Sequence, residues 1–120
     1  MSISGEIEVE FLRNNISTHK YSSTSVSGDS RFFESDKGSE GISINFEPAI
    51  VDGTRTYTFD PKDLNFVYRR SSQGYPIKGS VEVVSTASTD NLQYKLNGTF
   101  LADGREITIK GTGKLLYAFP

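Results

Sequence analysis

Few side chains in this 120-residue chain could act as a nucleophile or hold a metal. His19 is the only histidine, and there is no cysteine. These counts exclude a Cys/His dyad, a zinc–thiolate centre and a histidine-rich metal site. A Ser-His-Asp triad would need His19, which lies in a Ser/Thr-rich segment without the local pattern of a nucleophile elbow. We therefore interpret His19 as an exposed or locally hydrogen-bonded side chain.

The acidic residues are the remaining candidates for general acid–base chemistry or metal binding. In or near predicted loops lie Asp29, Glu34, Asp36, Glu40, Asp52, Asp60 and Asp63, while Glu6, Glu8 and Glu10 alternate along one predicted strand. They lack the spacing of an EF-hand loop, and turns and solvated strand faces explain them. We predict a protein that is not an enzyme and uses no metal or cofactor. The minor alternative, an enzyme, would require tyrosine and carboxylate groups to converge in a pocket.

Eight Phe and six Tyr residues give the chain an aromatic content of 12%. Most of them fall on the predicted inner rows of strands. There they either fill a packed core or line an interior that is partly open to a small apolar ligand. The hypothesis of a ligand site names five of them: Tyr57, Phe66, Tyr68, Tyr94 and Tyr117.

A second set of apolar residues falls outside the alternating pattern, in predicted loops or turns. These residues are Phe32, Phe33, Ile50, Val51 and Tyr75. Apolar loop side chains either plug the end of a barrel or contact a partner. They are the predicted partner-binding residues of an alternative function, in which another protein binds an edge strand or the loops near residues 28–41 and 48–53.

Alternation of apolar and polar residues with a period of two predicts strands along most of the chain. Clear examples cover residues 3–11, 42–46, 57–59, 64–68, 77–83, 92–100 and 107–119. Weaker strands are expected around 18–24 and 30–34, and residues 71–75 are expected to turn the chain. The pattern predicts an all-β fold of about eight antiparallel strands, mostly consecutive hairpins in a meander, with little or no helix.

Two turns define the expected pairing of the last three strands. A two-residue turn at 103–104, an Asp-Gly pair suited to type I′ geometry, places Leu96 opposite Gly111. A turn at 87–88 places Leu96 opposite Gly79 on its other side. Glycine weakens a strand interior by about 0.5–1 kcal/mol, so its repeated use on the inner face indicates a geometric need. This pattern favours a sheet curved into a small lipocalin/calycin-like barrel; the alternative is a two-sheet β-sandwich.

A meander of about eight antiparallel strands resembles the calycin-type barrels of lipocalins and avidins. The resemblance is architectural, because the chain has no tryptophan and therefore no Gly-x-Trp near its first strand. The leading functional hypothesis is a non-enzymatic module that binds a small apolar or amphipathic ligand in the mouth of a barrel. The alternative is a protein–protein interaction domain of the inhibitor, immunity or effector type.

Size and charge restrict the function further. A chain of 13.3 kDa fits a single β domain over residues 1–120. A formal net charge of −2 without a basic stripe argues against nucleic-acid binding. No apolar run approaches the roughly 20 residues of a membrane helix. Because neither cysteine nor a secretory leader is visible, we expect a soluble, cytoplasmic protein.

Overall fold

The computed structural model describes residues 2–118, and for Ser2 the backbone alone. This part of the chain contains eleven strands and one short 3-10 helix at Pro61–Asp63. The strands are β1 (Ser2–Arg13), β2 (Ile16–Ser23), β3 (Val26–Gly28), β4 (Phe32–Lys37), β5 (Glu40–Asn45), β6 (Gly53–Phe59), β7 (Phe66–Arg70), β8 (Gln73–Pro76), β9 (Lys78–Thr86), β10 (Asn91–Ala102) and β11 (Arg105–Ala118). The prediction of an antiparallel all-β fold with almost no helix is confirmed. Phe119, at the end of the last predicted strand, lies outside the described residues.

The strands form two antiparallel sheets. The larger sheet has the order β2-β1-β11-β10-β9-β6, and the smaller has the order β3-β4-β5-β7-β8. Hairpins between consecutive strands are common, but the meander is interrupted where β6 pairs with β9, because β7 and β8 belong to the smaller sheet. The first and last strands also pair, from Ser2 opposite Ala118 to Leu12 opposite Thr108.

The structure has more strands than the alternation predicts, because several strands are short. The weakly patterned segment before residue 41 contains β2, β3 and β4, of which β3 was not expected. Residues 73–76 form β8, so the predicted turn at 71–75 is wrong in its extent. The turn consists of Ser71 and Ser72, whose φ angles of 51° and 68° reverse the chain in two residues.

One hydrophobic core receives side chains from both sheets. Alternate residues of the strands point into it, as a period of two requires. The side chains that are less than 2% exposed are Ile7, Phe33, Ile42, Ile44, Phe66, Ile77, Val81, Val83, Leu92, Leu96, Ile109 and Leu115. The opposite face of the larger sheet is mostly polar, with Leu101 and Leu116 among its exposed residues, and on it Glu6 of β1 pairs with Lys114 of β11 at 3.2 Å.

The predicted pairing of β10 with β11 is confirmed, with Leu96 opposite Gly111 across the turn at 103–104. The predicted pairing of β9 with β10 is wrong by two residues. Gly79 lies opposite Gly98, and Leu96 lies opposite Val81. The reason is the length of the turn, which spans the four residues 87–90 instead of two. A shift of two residues keeps every side chain on its predicted face.

Asp52 holds this longer turn in place. Its carboxylate accepts hydrogen bonds from the backbone N–H groups of Thr89 and Ser88 and from the Ser85 hydroxyl, each at 2.9 Å. The bonds from Thr89, Ser88 and Ser85, in that order of influence, lower the pKa of Asp52. They stabilise a turn in which residues 87–89 all have positive φ. The conformation of this turn therefore depends on a residue 36 positions earlier in the chain.

Candidate functional site

The five predicted ligand-binding residues point into the interior. Tyr57, Phe66, Tyr68 and Tyr94 are buried, and Tyr117 is partly buried. They do not form one site, because their ring contacts belong to separate groups. Tyr57 and Tyr94 meet across Phe46, at centroid distances of 5.0 and 5.8 Å, whereas Tyr68 packs on Phe11 and Phe100 and Phe66 packs on Phe59.

Tyr94 differs from the other buried tyrosines in its hydrogen bonding. Its Oη atom is buried and has no hydrogen-bond partner among the described residues. The other three donate one bond each: Tyr57 to the Pro48 carbonyl, Tyr68 to Glu40 and Tyr21 to Ser35. Burial raises the pKa of Tyr94, and the nearby Tyr117 and Asp29 add to that effect. The phenol therefore stays protonated and carries a donor that the protein leaves unused.

The structure corrects the expected position of several predicted partner-binding residues. Phe32 and Phe33 lie in β4, and Phe33 is 1% exposed because adjacent strand residues point to opposite faces. Ile50 is buried as well, and its N–H donates to the Ser30 carbonyl at 2.7 Å. Tyr75 is a partly buried residue of β8 and not a turn residue. Val51 is 69% exposed, as expected. Whether any of these residues contacts a partner stays a prediction.

A polar cluster joins the two sheets at β2, β5 and β7. His19 Nε2 lies 2.9 Å from Glu40 Oε2, and the Tyr68 hydroxyl donates to the same oxygen at 2.6 Å. The imidazole ring stacks on Phe11 with 5.5 Å between centroids, and the histidine side chain is 31% exposed. The expectation of an exposed or locally bonded His19 is therefore wrong: its partner lies 21 residues away and on the other sheet.

The environment of Glu40 favours its ionised form. Burial alone would raise the pKa of this carboxyl, but hydrogen bonds from Tyr68 and His19, together with the charges of His19 and Arg70, outweigh burial and lower the pKa. For Tyr68 the effects act in the opposite direction, because burial and the Glu40 carboxylate both raise the pKa of the phenol. An ionised carboxylate can accept the hydrogen bonds from both Tyr68 and His19. For His19 to donate its bond, Nε2 must carry a proton.

This cluster brings together a tyrosine and a carboxylate, the groups that the enzyme hypothesis requires. Its three members, His19, Glu40 and Tyr68, include no serine or cysteine nucleophile. Five grooves on the surface of residues 2–118 are lined by residues outside this cluster. Among residues 2–118, no three His, Cys, Asp or Glu side chains are grouped so that they could hold a metal ion. The cluster is best described as a hydrogen-bonded tie between the sheets. Only the fold reveals it, because its members are separated by 21 and 28 residues.

The Glu40 tie predicts a loss of stability in acid. The pKa of the Glu40 carboxyl in the folded protein is below the ordinary value of 4.5. As the pH falls, the unfolded chain therefore binds more protons than the folded chain does. The contribution of Glu40 is present above about pH 4.5 and is lost as the pH falls through the folded-state pKa. We expect Glu40→Gln to be less stable than the parent at about pH 7, with the difference shrinking at about pH 3, in urea unfolding. A difference that is independent of pH would contradict this assignment.

An apolar groove of about 370 Å³ opens where β8 and β10 end and β9 and β11 begin. It is lined by Pro61, Pro76, Lys78, Thr99, Phe100, Leu101 and Glu106. Leu101 is 68% exposed, whereas Phe100 is buried. The ring of Phe100 packs against Tyr68 and Tyr75, at centroid distances of 5.6 and 5.3 Å. The sequence pattern had placed Phe100 on an inner row but had not indicated a groove.

No helix among the described residues is long and apolar enough to cross a membrane. Comparison of the chain with protein-family models, with curated proteins and with solved structures finds no match.

Proposed function

We propose that this protein is a non-enzymatic binding module that takes a small apolar or amphipathic ligand in the groove beside Leu101. The observation that carries the proposal is the combination of an apolar lining with two exposed charges on the rim. The apolar walls consist of Pro61, Pro76 and Leu101. One charge of each sign comes from Lys78 and Glu106. Small-molecule sites typically combine an apolar lining with a few polar groups in a volume of about 300–1,000 Å³.

The packing of the interior supports a site at the mouth instead of deep between the sheets. The rings of Phe33, Phe46, Tyr57 and Tyr94 lie 4.8–5.8 Å apart, which are distances of direct aromatic contact. A ligand in that region would have to displace these rings. A ligand in the groove would instead lie against Leu101 and the two prolines, and would bury apolar surface that is otherwise in contact with water.

A barrel-like arrangement of the two sheets is part of the same proposal. It is supported along one side, where the edge of the larger sheet approaches the smaller sheet. At this edge the Tyr21 hydroxyl donates to Ser35, and the Ser23 hydroxyl donates to the Asp36 carbonyl. In such an arrangement the groove lies at the open end, which is where calycin-type barrels bind ligands.

The ligand proposal predicts saturable binding of an apolar probe at the groove. The neutral dye Nile red should bind with a stoichiometry of one, and Leu101→Ser should weaken binding about tenfold, because the leucine side chain loses its apolar contact with the probe. Fluorescence titration measures both quantities. Leu116→Ser is the matched control, since Leu116 is also exposed but does not line the groove. Non-saturable binding, or equal weakening by both substitutions, would overturn the proposal.

A further inference from the structure

Within residues 2–118 the two sheets end in four edge strands, and three of them are short or covered. β3 has three residues, and β8 has four and ends at Pro76, which lacks an N–H donor. β2 is joined to the smaller sheet by side-chain bonds from His19, Tyr21 and Ser23, and its pairing with β1 has an irregularity at Phe11. These are the devices by which sheet edges avoid pairing with other chains.

The fourth edge strand, β6, is neither short nor covered, and its one charged side chain is that of Arg55. It has seven residues without proline or lysine, and its register with β9 runs without interruption from Gly53 to Phe59. Residues 53–56 and Thr58 are exposed. The backbone hydrogen bonds of loops and turns among residues 2–118 involve no residue of β6. One side of β6 thus offers a row of backbone donors and acceptors for another strand.

The sequence of β6, Gly-Thr-Arg-Thr-Tyr-Thr-Phe, is nearly self-complementary about its centre. In an antiparallel pair with a second copy, centred on Thr56, all seven residues find a partner on the matching face. Thr56 then lies opposite Thr56 of the second copy, Thr54 opposite Thr58, and Arg55 opposite Tyr57. Cross-strand threonine pairs stabilise sheets. Arg55 already lies over the ring of Tyr57 in its own chain, at 5.0 Å, so the same cation–π chemistry is available across the pair.

Other centres are less favourable. A centre on Arg55 would place two guanidinium groups opposite each other, and like charges in that position destabilise a sheet. A centre on Tyr57 would leave the beginning of β6 unpaired. The register centred on Thr56 is the one that combines full length with the absence of a like-charge pair.

We propose that β6 is a self-association edge, at which a second copy of this chain adds its own β6 in antiparallel orientation about a two-fold axis at Thr56. The larger sheets of two copies would then join into one sheet with six strands from each copy. Such an interface is isologous, so it closes after two copies and does not propagate. The proposal is independent of the ligand groove, because the residues that line the groove lie outside β6.

Sedimentation equilibrium over a range of protein concentrations tests this proposal. We expect a reversible dimer of the parent chain. Thr56→Lys places two ammonium groups opposite each other at the axis and should weaken the dimer about tenfold. Thr112→Lys is the matched control, because Thr112 is an exposed threonine on an interior strand of the same sheet, and it should leave the dimer unchanged. A parent chain that is monomeric at its highest soluble concentration, or a dimer that Thr56→Lys does not weaken, would overturn the proposal.

A cross-linking variant keeps the proposal testable if Thr56→Lys fails to fold. The chain contains no cysteine, so Thr56→Cys introduces a single thiol at the axis. Antiparallel partners have Cα atoms about 4.5–5.5 Å apart, within the roughly 4.4–6.8 Å that a disulfide spans. Under mild oxidation Thr56→Cys should form a covalent dimer faster than Thr112→Cys. Equal rates for the two variants would contradict pairing at β6.

Discussion

Replacing Gly111 by alanine is expected to lower the free energy of unfolding by about 3 kcal/mol, as for other overpacked sites. A Cβ atom at this position would overlap the carbonyl oxygen of Glu8 and would lie 2.7 Å from Cα of Val9. Both obstacles are backbone atoms of β1, so no side-chain rotation can relieve them. β1 and β11 would have to separate, and their hydrogen bonds would weaken. Urea unfolding measures the change.

Gly113 provides the control in the same strand. It also pairs with β1, opposite Ile7, but a Cβ atom there would lie 3.4 Å from the Glu6 carbonyl oxygen and 3.5 Å from Cδ2 of Tyr94. These are ordinary contacts. Gly113→Ala is therefore expected to change the stability by less than about 1 kcal/mol, and the lower entropy of the unfolded chain favours the folded state. Similar losses in both variants would show that alanine is unfavourable in this strand for another reason, and would reject the close approach at Gly111.

The same substitution at two tyrosines is expected to have opposite effects. Tyr68→Phe removes the hydroxyl that donates to the Glu40 carboxylate at 2.6 Å. Because that bond involves a charged acceptor in the tie between the sheets, its loss should lower the free energy of unfolding by about 2 kcal/mol at neutral pH. Tyr94→Phe removes a buried hydroxyl that has no partner among the described residues, and should raise the free energy by about 1 kcal/mol.

Thermal and urea unfolding of the two variants side by side would test this contrast. The two residues are both 3% exposed, so the two substitutions are made at equally buried side chains. Unfolding at acid pH gives an additional check on Tyr68→Phe. The loss of stability in this variant should diminish as Glu40 becomes protonated. A loss of stability in Tyr94→Phe would mean that this hydroxyl is hydrogen-bonded in solution, and the proposed difference between the two sites would be withdrawn.

Features that depend on neighbouring residues could be predicted from the sequence. The alternation along β10 and β11 and the Asp103-Gly104 pair determine that hairpin to the correct register, because a type I′ turn needs positive φ at both positions and the observed angles are 53° and 75°. The inward row of aromatic residues followed from the same period of two. Burial of Tyr57, Phe66, Tyr68 and Tyr94 agrees with it.

Features that depend on distant residues could not be predicted in this way. The turn at 87–90 is longer than expected because Asp52 bonds to its backbone, and a local pattern contains no information on that contact. Similarly, Glu40 was interpreted as a loop carboxylate, although it begins β5 and accepts bonds from His19 and Tyr68. Ile50, predicted to plug a barrel end or to contact a partner, is a buried residue whose N–H donates to the carbonyl of the distant Ser30.

The pairing of β1 with β11 has a consequence for the order in which the chain folds. The β10–β11 hairpin closes a loop of two residues, whereas β1 must meet a strand about a hundred residues later. The entropy of closing so long a loop makes such contacts slow to form. We therefore expect the β10–β11 hairpin to form early and β1, although it is synthesised before that hairpin, to dock late. Until it docks, β11 is an open edge, and this interval is when the nascent chain is most prone to aggregate.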